Sequence, residues 1–321
     1  MTSTQNTSVH TASVRTDKLL QTLRDLARSA DSFRKIAFTK AIASIQSSQS
    51  SQSSQSSCDT ITRKELLSIP GIGDGILRRF DELVLSGQLV ELKEREEELK
   101  VIEVFEGIYG VGPVLAKKWY QQGYKTLDDI PVESLTYAQA LGLKYYKEIN
   151  SRIPRSEIDG LNRELARIVS TFNATHRLNV RAKICGSYLR GRESSGDVDI
   201  IISEKFNREF IDTFLLESTE LFQYILAKGP TKVLTLGGMN GIKRRIDLEL
   251  VENDDWAYAL LYFTGSANFN KHMRGIAKDK GYLLNQSGLY FGKSKIVVDD
   301  EKDIFEFLDM KYLTPLERDS Y

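Results

Sequence analysis

The chain has little cysteine, no net charge and no long apolar run, and each absence excludes a class of protein. Its 321 residues include 2 cysteines. Cys58 and Cys185 stand far apart, which excludes a disulfide framework and the paired spacing of a zinc site and leaves two small buried or idle thiols. A reducing compartment is consistent with that. Basic and acidic residues balance at 44 each, so no global basic field announces a nucleic-acid partner and any such face must be local. No basic cluster signals nuclear import. No apolar run is long enough to cross a bilayer. Residues 1–14 are rich in Thr and Ser and lack an apolar core, as expected of flexible chain rather than a signal peptide. These features lead us to expect a soluble intracellular protein of two or three domains.

What is present is organised around one stretch. Gly186-Ser187-Tyr188-Leu189-Arg190-Gly191-Arg192-Glu193-Ser194-Ser195-Gly196-Asp197-Val198-Asp199 runs straight into Ile200-Ile201-Ile202. Gly186 permits a tight turn and Ser187 the start of a short helix, where N–H groups bind phosphate without a formal charge. Arg190 and Arg192 lie in the same loop and can neutralise a triphosphate. Val198 and the isoleucines have the character of a buried strand, so Asp197 and Asp199 project to one face. Two carboxylates so close are costly unless a cation sits between them, and hard divalent ions take oxygen ligands. An isolated Asp-x-Asp is more simply a solvated strand end; its company decides. A third acid follows in Arg244-Arg245-Ile246-Asp247-Leu248-Glu249-Leu250, where the apolar residues alternate with Asp247 and Glu249 at the period of a half-buried strand. If the two strands pair, Asp247 completes a three-carboxylate cup for two metals.

The amino-terminal half reads as helical. Leu19, Leu20, Leu23, Leu26 and Ala27, then Phe33, Ile36, Ala37 and Ala41, recur at helical spacing, with a break near Ser29 to Asp31. Residues 46–57 are only Gln and Ser, a low-complexity loop that cannot bury apolar area to offset its ordering entropy. Ile69-Pro70-Gly71-Ile72-Gly73 returns as Ile108-Tyr109-Gly110-Val111-Gly112, each between helical patterns. Ordinary helix-joining turns would account for either copy alone, and a dinucleotide fingerprint would need a βαβ unit that is not visible. As a pair they read as helix-hairpin-helix motifs. Gly71, Gly73, Gly110 and Gly112 let the backbone approach a DNA phosphate, and the contacts ignore base identity. The charged run 91–100 is a solvated helix face. Residues 126–149 have helical spacing, ended by Pro154, which disfavours helix in the residue before it. The domain boundary is placed there. A helix over 156–172 then packs on strands at 181–184, 198–202, 232–236 and 242–250 as an α+β palm.

Several of these blocks carry a resemblance. Gly-Ser-x-x-Arg-Gly at 186–191, Ser-Gly-Asp-x-Asp at 195–199, Arg-Arg-Ile-Asp at 244–247 and Tyr262-Phe263-Thr264-Gly265-Ser266 occur in one order. Phe269-Asn270-Lys271, Met273-Arg274 and Glu301-Lys302-Asp303-Ile304-Phe305 follow. The chain resembles the family X DNA polymerases, most of all the beta type, over nearly its whole length. Gly-Ser with Asp-x-Asp marks only the wider nucleotidyltransferase superfamily; the Tyr262 block is the specific part. The resemblance implies an α+β multidomain protein, with all-α helix-hairpin-helix domains, a nucleotidyltransferase-type palm with a mixed sheet, and a small C-terminal α+β domain. The bounds it implies are a flexible N-terminus at 1–14, a lyase-like DNA-binding domain at 15–98 containing the 46–57 loop, and a duplex-binding domain at 99–153. The catalytic palm at 154–254 and a nascent-base-pair domain at 255–321 complete the set.

The function so implied is template-directed addition of dNTPs to a primer 3′-hydroxyl by two-metal-ion phosphoryl transfer, filling short gaps in base excision repair. The expected setting is a monomer on gapped or nicked DNA, with repair proteins such as a ligase, in the nucleus or in a viral or organellar compartment. Asp197 and Asp199 would hold two Mg²⁺ ions, for which Mn²⁺ substitutes, and Asp247 the ion beside the primer terminus, serving also as general base. Arg152, Gly186, Ser187, Arg190, Ser195 and Gly196 would hold the triphosphate. Tyr262, Phe263 and Gly265 would flank the sugar and Asn270 would meet the incoming base edge. Arg245 would touch the primer phosphate, while Lys271 and Arg274 would lie along the template, Arg274 in its minor groove. Backbone carbonyls of Ile69, Ile72, Ile108 and Val111 would hold Na⁺ or K⁺ at the hairpins.

The departures matter as much. Arg79 stands where the family's imine-forming lysine is expected, and a guanidinium stays protonated. Arg34, Phe38 and Gly75 also differ from the family's phosphate pocket, so 5′-deoxyribose phosphate lyase activity is expected to be weak or absent, with Arg34 and Arg79 left to bind a 5′-phosphate. Ala267 replaces an acid, Glu249 an arginine, and Gln286-Ser287 the Glu-Tyr pair that locks that arginine, which implies a different control of closure. Two other readings stand beside this one. A nucleotidyltransferase acting on RNA or a small molecule leaves the hairpins and residues 262–274 unexplained. A non-catalytic gap-binding scaffold would retain three buried acids without metals, at a cost.

Overall fold

The computed structural model describes residues 13–30, 32–51, 60–93, 95–204 and 209–321. The chain separates into two units, Met1–Ser134 and Leu135–Tyr321. In the first, β1 (Ser13–Arg15) leads into α1 (Thr16–Ser29) and α2 (Ser32–Ser51). Then come β2 (Thr60–Thr62), α3 (Arg63–Ser68), α4 (Asp74–Ser86), α5 (Val90–Lys93), α6 (Glu96–Glu106) and α7 (Pro113–Gln121). The helical spacing read from the sequence is the packing stripe: Leu19, Leu23 and Leu26 of α1 bury against Phe38, Ala41 and Ile45 of α2 and Leu66, Leu77 and Phe80 beyond. Thr62 caps α3 with a capping box, its side chain taking Glu65 N–H while Glu65 returns to Thr62 N–H at 2.8 Å.

Two expectations for this unit need correction. Residues 13 and 14, assigned to flexible chain, are strand: β1 pairs antiparallel with β2, and Val14 faces Ile61 with both buried. Residues 1–12 lie outside the described residues. The Gln/Ser segment does not begin as loop, because α2 continues through residues 46–51. Ile45, fully buried, anchors the helix there, and extending a formed helix adds a hydrogen bond per residue without a new nucleus. Residues 52–57, and Cys58, lie outside the described residues. Among the described residues no helix is long and apolar enough to cross a membrane.

The second unit opens with α8 (Tyr137–Lys144), α9 (Tyr146–Asn150), β3 (Ile153–Pro154) and α10 (Arg155–His176). The palm follows as β4 (Arg181–Ile184), α11 (Gly186–Leu189), β5 (Ser194–Ser195), β6 (Val198–Ser203), α12 (Phe210–Glu217), β7 (Tyr224–Lys228), β8 (Lys232–Gly237) and β9 (Arg244–Leu250). Its sheet has the order β4-β6-β9-β8-β7, with β6 and β9 parallel and the other pairs antiparallel. This is the mixed sheet expected, plus the edge strand β7. That strand eluded the pattern because only Leu226 of it is buried and a bulge interrupts it between Ile225 and Ala227. Ile158, Leu161, Leu165 and Phe172 of α10 pack into one core with Val198, Ile200, Ile202 and Leu248 of the sheet.

Packing divides the chain at Ser134/Leu135, with α8 and α9 tied to the palm. Tyr145 and Tyr224 share a hydrogen bond of 3.1 Å between their hydroxyls. Buried Arg244 donates to the Glu148 carbonyl at 3.0 Å and to Ser151 Oγ at 2.6 Å, and pairs with Glu157 at 2.7 Å. The remainder is α13 (Trp256–Thr264), α14 (Ala267–Asp279), the antiparallel strands β10 (Tyr282–Asn285), β11 (Gly288–Phe291) and β12 (Ser294–Lys295), and α15 (Glu301–Phe307). Tyr258, Phe269, Met273, Leu289, Ile304 and Phe305 close its own core, which makes it a small α+β layer.

Candidate active site

The strand pairing that the sequence could only pose as a condition is present. β6 and β9 run parallel in a register that sets Asp199 beside Asp247. Asp197 sits just before β6, and one carboxylate oxygen from each of Asp197, Asp199 and Asp247 lies within 4.8 Å of the others. Asp247 is buried and Asp197 half-buried. Burial pushes the Asp199 carboxyl up to about 6, and the facing charge of Asp247 adds to the rise. Oδ1 of Asp247 is buried without a hydrogen-bond partner. Three convergent hard oxygen donors, one of them orphaned, fit a divalent cation.

Gly186 makes the cup possible. Its φ is +58°, and a Cβ there would stand 2.5 Å from Asp199 Oδ2. Only glycine lets the backbone at the start of α11 come so close. The amide of Cys185 donates to the Asp199 carbonyl at 2.8 Å, fixing that approach. α11 is braced from behind, where Tyr188 Oη donates to Asp159 at 2.8 Å and Arg155 donates to the Tyr188 carbonyl at 2.7 Å. Ser187 Oγ donates to Ser195 Oγ at 2.8 Å. Strands β3 and β5 pair, which brings Arg152 to the same loop, its Nε 3.1 Å from Ser194 Oγ and its Nη1 3.6 Å from where a Gly196 side chain would begin. The residues expected to hold a triphosphate therefore gather around one loop beside the acids.

Cations already lean on the carboxylates. Arg245, two residues before Asp247 and so on the same strand face, ion-pairs with Asp197 and lies 3.4 Å from Asp247 Oδ1. That long contact is too poorly aligned to be a hydrogen bond, as Asp247 Oδ1 and Arg245 Nε both lack one. Arg245, expected at a primer phosphate, thus lies on the same strand face as the acids. Lys232 of β8, directly across from Glu249, reaches Glu249 at 2.8 Å and Asp247 at 3.2 Å. Burial works against its charge, but the Glu249 hydrogen bond and the two acids outweigh it and raise its pKa. Burial likewise raises the Glu249 carboxyl.

On the facing helices, Tyr262 and Phe263 meet edge to face at 5.0 Å, and Asn270 Nδ2 donates to the Tyr262 carbonyl at 2.7 Å. The Arg274 guanidinium lies 5.0 Å over the Tyr262 ring, and Lys271 is exposed one turn away. Gly265 has φ +70°, with Arg190 Nη1 3.2 Å from the place of its missing Cβ. Gln286 and Ser287 form the turn between β10 and β11, where Ser287 N–H donates to Asn285 Oδ1 at 2.8 Å. Ala267 begins α14 and is exposed. Two contacts have no signal in the local sequence. Lys232 comes from a strand whose partner is set by topology, and Asp319 binds Arg190 and Arg192 from more than a hundred residues away in sequence.

In the first unit the two glycine turns are the same turn twice. Gly71 and Gly110 have φ of +89° and +80°. Gly73 and Gly112 sit before α4 and α7 with φ, ψ of −102°, 173° and −103°, 174°. Ile72 N–H donates to the Ile69 carbonyl at 3.3 Å, and Val111 N–H to the Ile108 carbonyl at 3.0 Å. A carbonyl has two lone pairs, so these turn bonds leave room for a second interaction. Arg79 is held on three sides: by the Gly75 carbonyl at 3.0 Å, by Glu91 at 2.8 Å, and by the ring of buried Phe38 at 5.2 Å. Arg34 is exposed on α2.

Comparison with known proteins converges on these regions. A DNA polymerase beta palm model matches residues 152–253, a DNA polymerase beta thumb model matches 259–319, and the model for the fingers domain of DNA polymerase lambda matches 103–150. DNA polymerase lambda of Rattus norvegicus is 32% identical over 330 aligned residues, covering 95% of this chain and 56% of that protein. DNA polymerase lambda of Arabidopsis thaliana is 31% identical over 287 residues, covering 79% and 53%. DNA nucleotidylexotransferase of Xenopus laevis is 27% identical over 308 residues, covering 80% and 60%. The chain thus spans somewhat more than half the length of these relatives. With palm and thumb of the beta type, it belongs to the family X DNA polymerases.

Proposed function

We propose that the chain is a template-directed DNA polymerase that adds dNTPs to a primer 3′-hydroxyl and fills short gaps in base excision repair. The observation that carries this reading is the β6–β9 register, which draws Asp197, Asp199 and Asp247 into one cup. Two Mg²⁺ ions in that cup, or Mn²⁺ in their place, would lower the pKa of the primer hydroxyl and offset charge on the leaving pyrophosphate. Asp247, the most buried of the three, lies beside the primer end and takes its proton. Ser187, Ser195, Arg152, Arg190 and the backbone at Gly186 and Gly196 hold the triphosphate. Arg245 exchanges its carboxylates for the primer phosphate when DNA binds. Tyr262, Phe263 and Gly265 bound the sugar; Asn270, Lys271 and Arg274 meet the incoming and template bases.

The repeated hairpin geometry supports a second role for the first unit, as a pair of helix-hairpin-helix motifs that hold duplex backbone, with Na⁺ or K⁺ on the carbonyls of Ile69, Ile72, Ile108 and Val111. Arg79, fixed by Glu91, binds a 5′-phosphate with Arg34 and forms no imine, so lyase activity is weak or absent. The enzyme acts as a monomer on gapped or nicked DNA, alongside a ligase, in the nucleus or another DNA-holding compartment. The test uses a one-nucleotide gap with a 5′-phosphate, each of the four template bases in turn, and Mg²⁺. Insertion of only the complementary dNTP is expected. Insertion regardless of the template base, or none at all, would overturn the reading.

A further inference from the structure

Arg190 and Arg192 share a partner outside the palm loop. Arg190 Nε donates to Asp319 Oδ1 at 2.9 Å, and Arg192 Nε pairs with Asp319 Oδ2 at 2.6 Å. One carboxylate thus takes one oxygen to each guanidinium, and Arg190 is fixed at a second point by Nη1 donating to the Thr264 carbonyl at 2.6 Å. Asp319 is itself rigidly mounted in the short turn Glu317–Ser320. Its neighbour Arg318 is fully buried, paired with both Glu301 oxygens at 3.0 and 3.2 Å and set over the rings of Phe269, Phe305 and Tyr312. Leu316 packs onto Gly191, whose φ is +81° and whose missing Cβ would stand 2.2 Å from Leu316 Cδ2. The Tyr321 ring rests 5.3 Å from both Phe269 and His272. Burial raises the Asp319 carboxyl, but the hydrogen bonds from Arg190 and Arg192 outweigh that and hold it below the usual range, so it is anionic at working pH.

We infer that Asp319 is a positioning residue for nucleotide binding, holding Arg190 and Arg192 side by side at the loop that takes the triphosphate. Two guanidinium groups brought together without a counter-charge repel, and each long side chain would otherwise lose its rotamer freedom only on meeting the nucleotide. With Asp319 and Thr264 in place that ordering has already happened on folding, which is the ordinary way preorganisation raises affinity. Asp319 touches no substrate. Its effect runs through the arginines alone. The inference rests on the proposed triphosphate site, so its test reads binding apart from turnover.

The experiment measures equilibrium binding of a dNTP to the protein on one-nucleotide-gapped DNA with Ca²⁺, for wild type, Asp319→Asn and Asp319→Glu, with gapped-DNA affinity and Mg²⁺-supported kcat measured beside it. Asp319→Asn is expected to weaken dNTP binding on the order of tenfold, the scale of losing a charge-assisted pair. Its DNA affinity and kcat stay within about twofold of wild type, as befits a loss of ground-state nucleotide binding. Asp319→Glu recovers most of the loss. Equal dNTP binding in wild type and Asp319→Asn overturns the inference. Tighter binding in the variant also overturns it, since the carboxylate would then be masking the arginines. So does a loss spread equally over DNA affinity and thermal unfolding and not repaired by Glu. Should wild type bind dNTP but fail to insert it, the polymerase reading falls, while the Asp319→Asn effect on binding still decides this one.

Discussion

Replacing Gly186 by alanine should disable the carboxylate cup while leaving most of the protein intact, and the structure sets the scale. A Cβ at Gly186 would lie 2.5 Å from Asp199 Oδ2, 3.5 Å from its Cγ and 3.7 Å from its Cβ, where ordinary contact begins near 3.4 Å. The Asp199 carboxylate must therefore retreat by about 1 Å, and misplacement of that size in a catalytic constellation costs on the order of 100-fold in rate. The backbone adds a separate penalty, since a left-handed conformation costs an alanine about 1–2 kcal/mol. Gly241 isolates that second effect: its φ is +82° and nothing lies within 4 Å of its missing Cβ. Both variants should lose similar stability in urea unfolding. Only Gly186→Ala should lose single-turnover insertion on gapped DNA. A Gly186→Ala protein that inserts at the wild-type rate, or a Gly241→Ala protein equally impaired, would refute the claim that the close approach positions Asp199.

Three further outcomes follow from named contacts. Arg318→Ala leaves the Glu301 carboxylate buried without its partner, so it should destabilise the second unit by about 3–5 kcal/mol in urea unfolding, whereas an exposed pair would cost little. For Asp319, whose native pKa lies below the ordinary 3.8, stability is present above that value and is lost as pH falls through it toward the lower native value. Asp319→Asn should therefore show a flatter decline of stability in acid than wild type; identical acid limbs would contradict the ion-pair account. Sodium borohydride should not trap the wild-type protein on 5′-deoxyribose phosphate DNA; trapping that disappears with alanine at Lys35 or Lys40, the two lysines of α2 beside Arg34 and Phe38, would restore a lyase role.

How much of this was legible depended on how local each cause is. Asp197 and Asp199 could be placed on one face from strand alternation alone, and Gly71 and Gly110 announced their turns because only glycine takes those backbone angles cheaply. The pairing of Asp199 with Asp247 could be posed only as a condition, since a register between strands nearly fifty residues apart is fixed by the whole core around Ile200 and Leu248. The same alternation that puts Asp247 at the cup puts Arg245 there too, and it binds Asp197. Lys232 and Asp319 were illegible, because a lysine at the first residue of a strand and an acid near Tyr321 look like solvated residues until the fold brings their partners to them. The continuation of α2 into residues 46–51 was missed for the opposite reason: Gln and Ser carry no pattern, and buried Ile45 supplies the anchor.

The central claim is that Asp197, Asp199 and Asp247 form the one site where chemistry occurs. Single-turnover dNTP insertion on a one-nucleotide gap with Mg²⁺, comparing wild type with Asp199→Ala and Asp247→Ala at matched gapped-DNA affinity, tests it most directly. The account predicts insertion by wild type and none above background by either variant. Full insertion by either variant would contradict it.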